Sequence, residues 1–168
     1  MTCTPCGKAY RGFRLVKHGK FTDSTNANFD VKQSVTVKYF PGDLVFTDAP
    51  GSKYVAQSLP ATGNYGTSSD SIFGVSVECS NNSLSDHTNF EIYDMYPFQE
   101  YEIELKDASL VTTQAQVDAL IGNQVTAHYD AVTGRWSLDT AVANAPVNLF
   151  SIVDINYLEG VARVRVML

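Results

Sequence analysis

The sequence predicts a mainly β protein, an antiparallel β-barrel or sandwich with one short helix at about residues 113–121 and an extended N-terminal arm. Short runs of alternating apolar and polar residues recur about every 8 to 12 residues, and clusters of Gly, Pro, Asn and Ser separate them. One segment combines helical periodicity with a capping signal. The 168 residues, 44% of them hydrophobic, suffice for one ordinary hydrophobic core.

Residues 1–20 form a basic segment in front of an acidic chain. They hold five cations and no carboxylate, a charge of +5, whereas the whole chain has a net charge of -6, which leaves -11 for residues 21–168. Basic and apolar residues each recur every third position, which fits an extended polyproline-like chain with one basic and one apolar edge. We expect this arm to lie on a partner; a first strand with solvated basic residues is the alternative. The basic positions are Lys8, Arg11, Arg14, Lys17 and Lys20, and the apolar ones are Tyr10, Phe13 and Val16.

Residues 21–96 are predicted to form a β-rich region. The run Val31–Phe40 alternates in its second half, and the Pro41-Gly42-Asp43 sequence after it predicts a turn. The stretches Ala61–Asp70 and Ser80–Asn89 are so rich in small polar residues that we expect loops there. Further strands are predicted at Leu44–Phe46, Tyr54–Gln57, Ile72–Val77 and Phe90–Tyr93.

Residues 97–168 are predicted to form a small barrel that carries the helix, and one continuous β domain with residues 21–96 is the alternative. Thr113 and Gln116 match a capping box at the start of the helix, and Gly122 suits the left-handed residue that ends it. Gly134 belongs to a predicted hairpin loop. The predicted strands are Glu100–Leu105, Val125–Tyr129, Arg135–Leu138, Val147–Ile155 and Val161–Leu168.

Alternation in the first of these strands puts three carboxylates on its outward side. Such carboxylates could perform acid–base chemistry or bind calcium. The last strand, however, presents Arg163 and Arg165 on its own outward side, so a cross-strand salt-bridge ladder is the better interpretation. The outward residues are Glu100, Glu102 and Glu104, and the inward ones are Tyr101, Ile103 and Leu105.

The sequence contains none of the short motifs of hydrolases, kinases, zinc peptidases or dinucleotide enzymes, and we expect no enzymatic activity. Asp86 and His87 lie in a polar loop, where sequence neighbours rarely make a catalytic triad. Cys3 and Cys6 have the spacing of half a zinc site, but a second closely spaced pair is missing. We therefore expect no metal and no cofactor.

The composition also bears on membranes, sugars and nucleic acids. No stretch reaches the roughly eighteen consecutive apolar residues of a membrane helix, and no apolar block typical of a signal peptide follows the basic start, so we expect a soluble protein. The aromatic residues could line a sugar-binding face or stack on single-stranded nucleic acid. Core packing is the better interpretation, because most of them alternate along strands, and the negative net charge argues against nucleic acid. Examples are Tyr39, Phe46, Tyr101 and Trp136.

The order of features in residues 97–168 carries a family resemblance. Pro97-Phe98 precedes the segment Glu102-Ile103-Glu104, a short helix ends at Leu120-Ile121-Gly122, and Asp130, Gly134 and Leu138-Asp139 precede the closing segment Gly160-Val161-Ala162-Arg163-Val164-Arg165-Val166. This layout resembles the small β-barrel of capsid decoration (auxiliary or cement) proteins from tailed bacteriophages. The upstream segments Pro41-Gly42-Asp43-Leu44-Val45 and Ile72-Phe73-Gly74-Val75 are similar in style to the first part of such proteins.

The resemblance implies a structural virion protein, not an enzyme, that binds the outside of an icosahedral phage head and ties neighbouring major capsid proteins together. Its partners would be the major capsid protein and neighbouring copies or a homo-oligomer, without nucleic acid or membrane. It would reside on the capsid surface, and in the host cytoplasm before assembly. A carbohydrate- or receptor-binding β module is the alternative, and a nucleic-acid-binding barrel a third possibility. We expect the arm to bind the capsid through Lys8, Tyr10, Arg11, Phe13, Arg14, Lys17 and Lys20.

Overall fold

The computed structural model describes residues 11–17, 25–31, 39–46, 55–56, 59–67, 70, 72–77, 89–140 and 148–167. Within them the chain forms twelve strands, one α-helix and a short 3-10 helix at Ala108–Leu110. The first seven strands are β1 (Arg14–Lys17), β2 (Thr25–Val31), β3 (Leu44–Phe46), β4 (Val55–Ala56), β5 (Gly63–Tyr65), β6 (Ile72–Ser76) and β7 (Asn89–Asp94). The later elements are β8 (Glu100–Glu104), α1 (Gln114–Leu120), β9 (Gln124–Asp130), β10 (Arg135–Asp139), β11 (Phe150–Asn156) and β12 (Val161–Val166).

The strands form two sheets. The larger sheet has seven strands in the order β1-β8-β12-β11-β9-β10, with β5 paired to β9, and its strands pair antiparallel. The smaller sheet has the order β3-β6-β7-β2-β4 and is antiparallel except for the β2–β4 pair. The predicted mainly β, antiparallel class with one short helix is confirmed. The described strands do not close into a barrel, and their two sheets are consistent with a sandwich.

Alternation of side chains fixes the register of β8 against β12. Arg163 lies opposite Glu102 in this antiparallel pair, and Arg165 lies opposite Glu100. A slip by one residue would turn these charges into the core, so burial of the other face specifies the pairing. The predicted inward and outward sides of both strands are confirmed. The buried side chains are Tyr101, Ile103, Ala162, Val164 and Val166.

Helix α1 begins at the predicted cap. The side chain of Thr113 accepts a hydrogen bond from the amide of Gln116, and the amide of Thr113 donates to the Gln116 side chain at 3.0 Å. Two amide groups at the N-terminus of the helix are thereby satisfied. Gly122 follows the helix with a φ of +82°, a conformation that glycine adopts without strain. The inward face of the helix centres on Val117, which is buried.

Some strand positions differ from the prediction. The stretch Ala61–Asp70, predicted as a loop, contains β5, because backbone pairing with β9 outweighs the weak strand propensity of its glycine and asparagine. Strand β2 ends where the predicted strand Val31–Phe40 begins, and residues 32–38 lie outside the described residues. The predicted loop Ser80–Asn89 also lies outside them, except for Asn89, which begins β7.

Strand β1 replaces part of the expected arm. In its antiparallel ladder with β8, Arg14 lies opposite Glu102 and Lys17 lies opposite Glu100. The alternative, a first strand with solvated basic residues, is therefore confirmed for the four residues of β1. Basic residues recur every third position here, although side chains of a regular strand alternate with a period of two. The reason is a register irregularity between Leu15 and Lys17, which brings Arg14 and Lys17 to the same side of β1.

Phe13 belongs to the core and is not an anchor for a partner. Its side chain has no exposed surface, and its ring lies 5.0 Å from the ring of Phe150, 5.9 Å from that of Tyr101 and 6.5 Å from that of Trp136, between centroids. Phe13, one of the three residues of the predicted apolar edge, is thus buried in the core of its own chain, whereas Val16 of the same edge is 37% exposed. This corrects the prediction that Phe13 binds the capsid.

Residues 11–13 join the two sheets, and we call this segment the joint. The amide of Phe13 donates to the carbonyl of Gly42 at 3.0 Å, beside the smaller sheet. The amide of Trp136, in β10 of the larger sheet, donates to the carbonyl of Arg11 at 2.7 Å. A Cβ atom on Gly12 would lie only 2.5 Å from the Cβ of Trp136, so the backbone of the joint approaches β10 more closely than any other residue would permit.

The described core extends across both sheets. Leu44, Phe46 and Val75 of the smaller sheet belong to the same hydrophobic cluster as Tyr101 and Ile152 of the larger one. The boundary predicted near residues 96 and 97 stays a prediction, but the buried residues before and after it pack together.

Candidate functional site

A charged surface on the outward side of β1, β12 and the first three residues of β8 is the candidate functional site, and we call it the basic face. Strand alternation brings its side chains together, because residues that point away from the core in three adjacent strands share one side of the sheet. Its members are Arg14, Lys17, Glu100, Glu102, Arg163 and Arg165.

Glu100 organises the basic face from beneath. Its side chain is only 3% exposed, and its carboxylate lies 2.7 Å from Nε of Arg163, 2.7 Å from Nη2 of Arg165 and 3.5 Å from Nζ of Lys17. Arg165 also donates from Nε to the same carboxylate at 3.1 Å. One buried carboxylate thus fixes cations from β1 and β12, one strand on either side of its own.

The ionisation of Glu100 follows from this arrangement. Burial raises the pKa of the carboxyl group, but the hydrogen bond from Arg165 and the charges of Arg163 and Lys17 outweigh burial and hold the pKa below its ordinary value. Glu100 is therefore ionised at neutral pH and keeps its three partners in place.

The basic face has a surplus of positive charge. Around Glu100 its four cations face two carboxylates, since Arg14 pairs with Glu102 and the other three cations share Glu100, and the difference is +2. Two further carboxylates flank this face on the side of the cleft: Glu104 of β8, and Asp154 of β11, which lies opposite Arg163. The side chains of Arg14 and Lys17 are more than half exposed, at 58% and 56%. A protein with an acidic body thus presents a positive surface at this position.

A cleft of about 430 Å³ adjoins the basic face, and Arg14, Glu102 and Arg163 belong to both. The other charged residues of the cleft come from β8, β10, the joint and the β11–β12 hairpin. Arginines and carboxylates are equal in number there, so the cleft suits a ligand of mixed charge and not a polyanion. Its charged residues are Arg11, Arg14, Arg135, Arg163, Glu102, Glu104, Asp154 and Glu159.

The predicted capsid-binding residues divide into three groups. Arg14 and Lys17 lie together on the basic face. Arg11 lines the adjoining cleft, as Arg14 does, and its guanidinium lies 3.4 Å from the ring centroid of Phe40; Phe13 is buried. The remaining three, Lys8, Tyr10 and Lys20, lie outside the described residues.

The salt-bridge interpretation of the glutamates is confirmed, with two changes of partner. Glu100 pairs with Arg163 and Arg165 of β12 as predicted. Glu102 pairs instead with Arg14 of β1, and Glu104 lies 3.7 Å from Arg135 of β10. Sequence reasoning also missed that Glu100 is buried. Its outward position was predictable, but three long side chains that cover it come from distant parts of the chain.

Other candidate groups are tested only in part. Cys3, Cys6, Asp86 and His87 lie outside the described residues. Among the residues that are described, no cluster of three or more His, Cys, Asp or Glu side chains could hold a metal ion. The core interpretation of the aromatic residues is confirmed, since Tyr39, Phe46, Tyr101 and Trp136 are buried. The indole of Trp136 is 1% exposed and therefore unavailable for stacking on a sugar.

None of the helices in the described ranges is long and apolar enough to cross a membrane. Comparison of the chain with protein-family models, with curated proteins and with solved structures finds no match.

Proposed function

We propose that this chain is a structural virion protein that binds the outside of an icosahedral phage head and ties neighbouring major capsid proteins together through its basic face. The observation that carries the proposal is the +2 surplus around the buried Glu100 on an otherwise acidic protein. The layout of residues 97–168, which resembles that of capsid decoration proteins, supplies the identity of the partner.

A protein partner agrees with the chemistry of this surface better than a nucleic acid does. On this surface β8 contributes carboxylates and the neighbouring β12 contributes arginines, and Glu102 pairs with the exposed Arg14 of β1. A phosphate backbone would be repelled by such carboxylates, whereas a protein surface can match cations and carboxylates together. A head also offers many identical sites, so modest contacts at each copy can give durable attachment through effective concentration.

The single-lysine variants Lys17→Gln and Lys106→Gln test this proposal. The two lysines are matched: each is about half exposed and pairs with a largely buried carboxylate, Lys17 with Glu100 and Lys106 with Asp139 at 2.8 Å. They differ in position, since Lys106 follows the opposite end of β8. We expect Lys17→Gln to weaken binding roughly five-fold at low salt, with less effect at high salt, and Lys106→Gln to have little effect.

The neighbouring reading frames are first searched for a major capsid gene, and the measurement is cosedimentation with empty heads assembled from its product. Thermal unfolding of both variants checks that each one folds. If the wild type does not bind these heads, the proposed function is wrong. If it binds and both lysine variants bind equally well, the basic face is not the contact surface.

A further inference from the structure

Phe98 combines two features that each raise the free energy of the protein on its own. Its φ is +69°, which makes it the one non-glycine residue with positive φ in the described part of the chain. Its side chain is also 57% exposed. An aromatic side chain is strained in this left-handed conformation, which glycine or asparagine adopts more readily, and exposure of the ring to water adds a second cost.

The turn that carries Phe98 is rigidly built. The buried side chain of Gln99 accepts a hydrogen bond from the amide of Tyr96 at 2.8 Å and donates to the carbonyl of Asp94 at 3.0 Å. The amide of Phe98 donates to the carbonyl of Val166 at 3.0 Å, and the amide of Val166 donates to the carbonyl of Gln99 at 2.9 Å. These bonds determine the backbone from both sides and keep the ring outside the core.

This turn lies next to the basic face. Glu100 lies two residues after Phe98, and Arg165 lies opposite Glu100 in β12. Met167, one residue beyond the partner of Phe98, is 46% exposed, and Val16, in the strand that pairs with β8 on its other side, is 37% exposed. An exposed aromatic residue, an exposed methionine one position beyond its backbone partner and charged residues two positions along β8 together have the composition of a protein-binding hot spot.

We propose that Phe98 is the apolar anchor by which the basic face binds its protein partner, inserting into an apolar socket with an acidic rim. The inference rests on the proposed function and adds the residue that supplies the apolar contact. The +2 surplus beside Phe98 complements an acidic rim, and burial of the ring in a socket removes its exposure to water. The strained turn then preorganises the ring, because it keeps the ring exposed before the partner binds.

The variant Phe98→Asn separates binding from folding, because asparagine tolerates positive φ and lacks the aromatic ring. We expect its melting temperature to equal or exceed that of the wild type, and its affinity for the empty heads described above to fall by about 30-fold or more. Phe98→Tyr retains the ring and should retain most of the affinity. Leu158→Asn is the control, since Leu158 is 84% exposed and precedes the opposite end of β12.

The outcomes are distinguishable from those that test the proposed function. If the wild type does not bind heads, both the proposed function and the anchor role are rejected. If the wild type binds and Phe98→Asn binds equally well, or loses no more affinity than Leu158→Asn, the anchor role alone is wrong. A clearly lower melting temperature for Phe98→Asn would also overturn the inference, because Phe98 would then stabilise the fold.

Discussion

Asp43 is a buried carboxyl group that the basic face does not use. It has no exposed surface, accepts a hydrogen bond from the amide of Phe40 at 2.8 Å, and leaves its Oδ1 atom without a hydrogen bond to any described residue. Burial raises the pKa of Asp43 to about 7, although the amide of Phe40, the charge of Arg11 and the nearby indole of Trp136 each favour the ionised form. The proton is therefore held more tightly in the folded than in the unfolded protein.

The raised pKa of Asp43 makes the free energy of unfolding depend on pH. Between about pH 4 and about pH 7 the folded state binds more protons at Asp43 than the unfolded state does, so the free energy of unfolding falls as the pH rises through this window. Glu100, whose pKa is lowered, acts with the opposite sign and at lower pH, because its ion pairs are lost as it becomes protonated. Asp43 and Glu100 therefore change the free energy of unfolding in separate pH ranges.

The variant Asp43→Asn tests this assignment. Asparagine resembles the protonated carboxyl and can still accept the bond from Phe40. We expect the wild type to lose roughly 3 kcal/mol of stability from Asp43 between about pH 5 and about pH 8, and the variant to lack this contribution. Thermal unfolding across the range measures it, and Asp118→Asn, at an exposed helix position, is the control. Equal slopes for wild type and Asp43→Asn would contradict the raised pKa.

The side of the sheet to which a side chain points was predictable only where the alternation along one strand pair determines it. Tyr101 and Ile103 point inward as their alternation indicates. Phe13 does not follow from a local pattern, because its burial depends on three rings that lie far away in sequence. Phe98 could not have been singled out either, since a positive φ at an aromatic residue is imposed by the bonds of Gln99 and Val166 and not by its own preference.

At the scale of elements, those with local sequence signals were predictable, and those that depend on long-range pairing were not. Helix α1 was predictable because its cap, its apolar spacing and Gly122 all lie within a few residues of one another. Strand β5 was not, because its residues disfavour strands and its pairing with β9 closes a loop of about sixty residues. The joint shows the same limitation: nothing near Gly12 in sequence indicates that Trp136 packs against it.

Gly12→Ala tests how tightly the joint approaches β10. The added methyl group would lie 2.5 Å from the Cβ of Trp136 and 3.1 Å from the carbonyl oxygen of Gly42, so the backbone must shift. We expect a loss of about 1–3 kcal/mol in the free energy of unfolding, measured by denaturant titration. Gly63→Ala is the matched control, because its methyl group would meet nothing closer than 3.6 Å. Equal effects of the two substitutions would contradict the close approach.

At the scale of the whole molecule, the shared core predicts cooperative unfolding. Phe13 stacks on Phe150 of the larger sheet, and Trp136 stacks on Phe46 of the smaller one, at 6.1 Å between ring centroids. Neither sheet can therefore lose its packing without exposing apolar surface of the other. The basic face is part of the same structure, because β1 continues directly from the joint.

Phe13→Ala provides the test. We expect a single unfolding transition in the wild type, seen at the same midpoint by Trp136 fluorescence and by far-ultraviolet circular dichroism. The substitution should lower both midpoints together and remove about 3–5 kcal/mol of stability. Val132→Ala is the control, since Val132 is 93% exposed in the β9–β10 turn. Separate midpoints for the two probes would favour two β units divided near residue 96.

The position of Glu100 beneath its cations has a consequence for the selectivity of association. Arg163 and Arg165, each 2.7 Å from the buried carboxylate, lose rotamer freedom when the chain folds, so less of it remains to be lost when a partner arrives. A surface fixed in this way rewards partners whose own charges already match its spacing and adapts poorly to others.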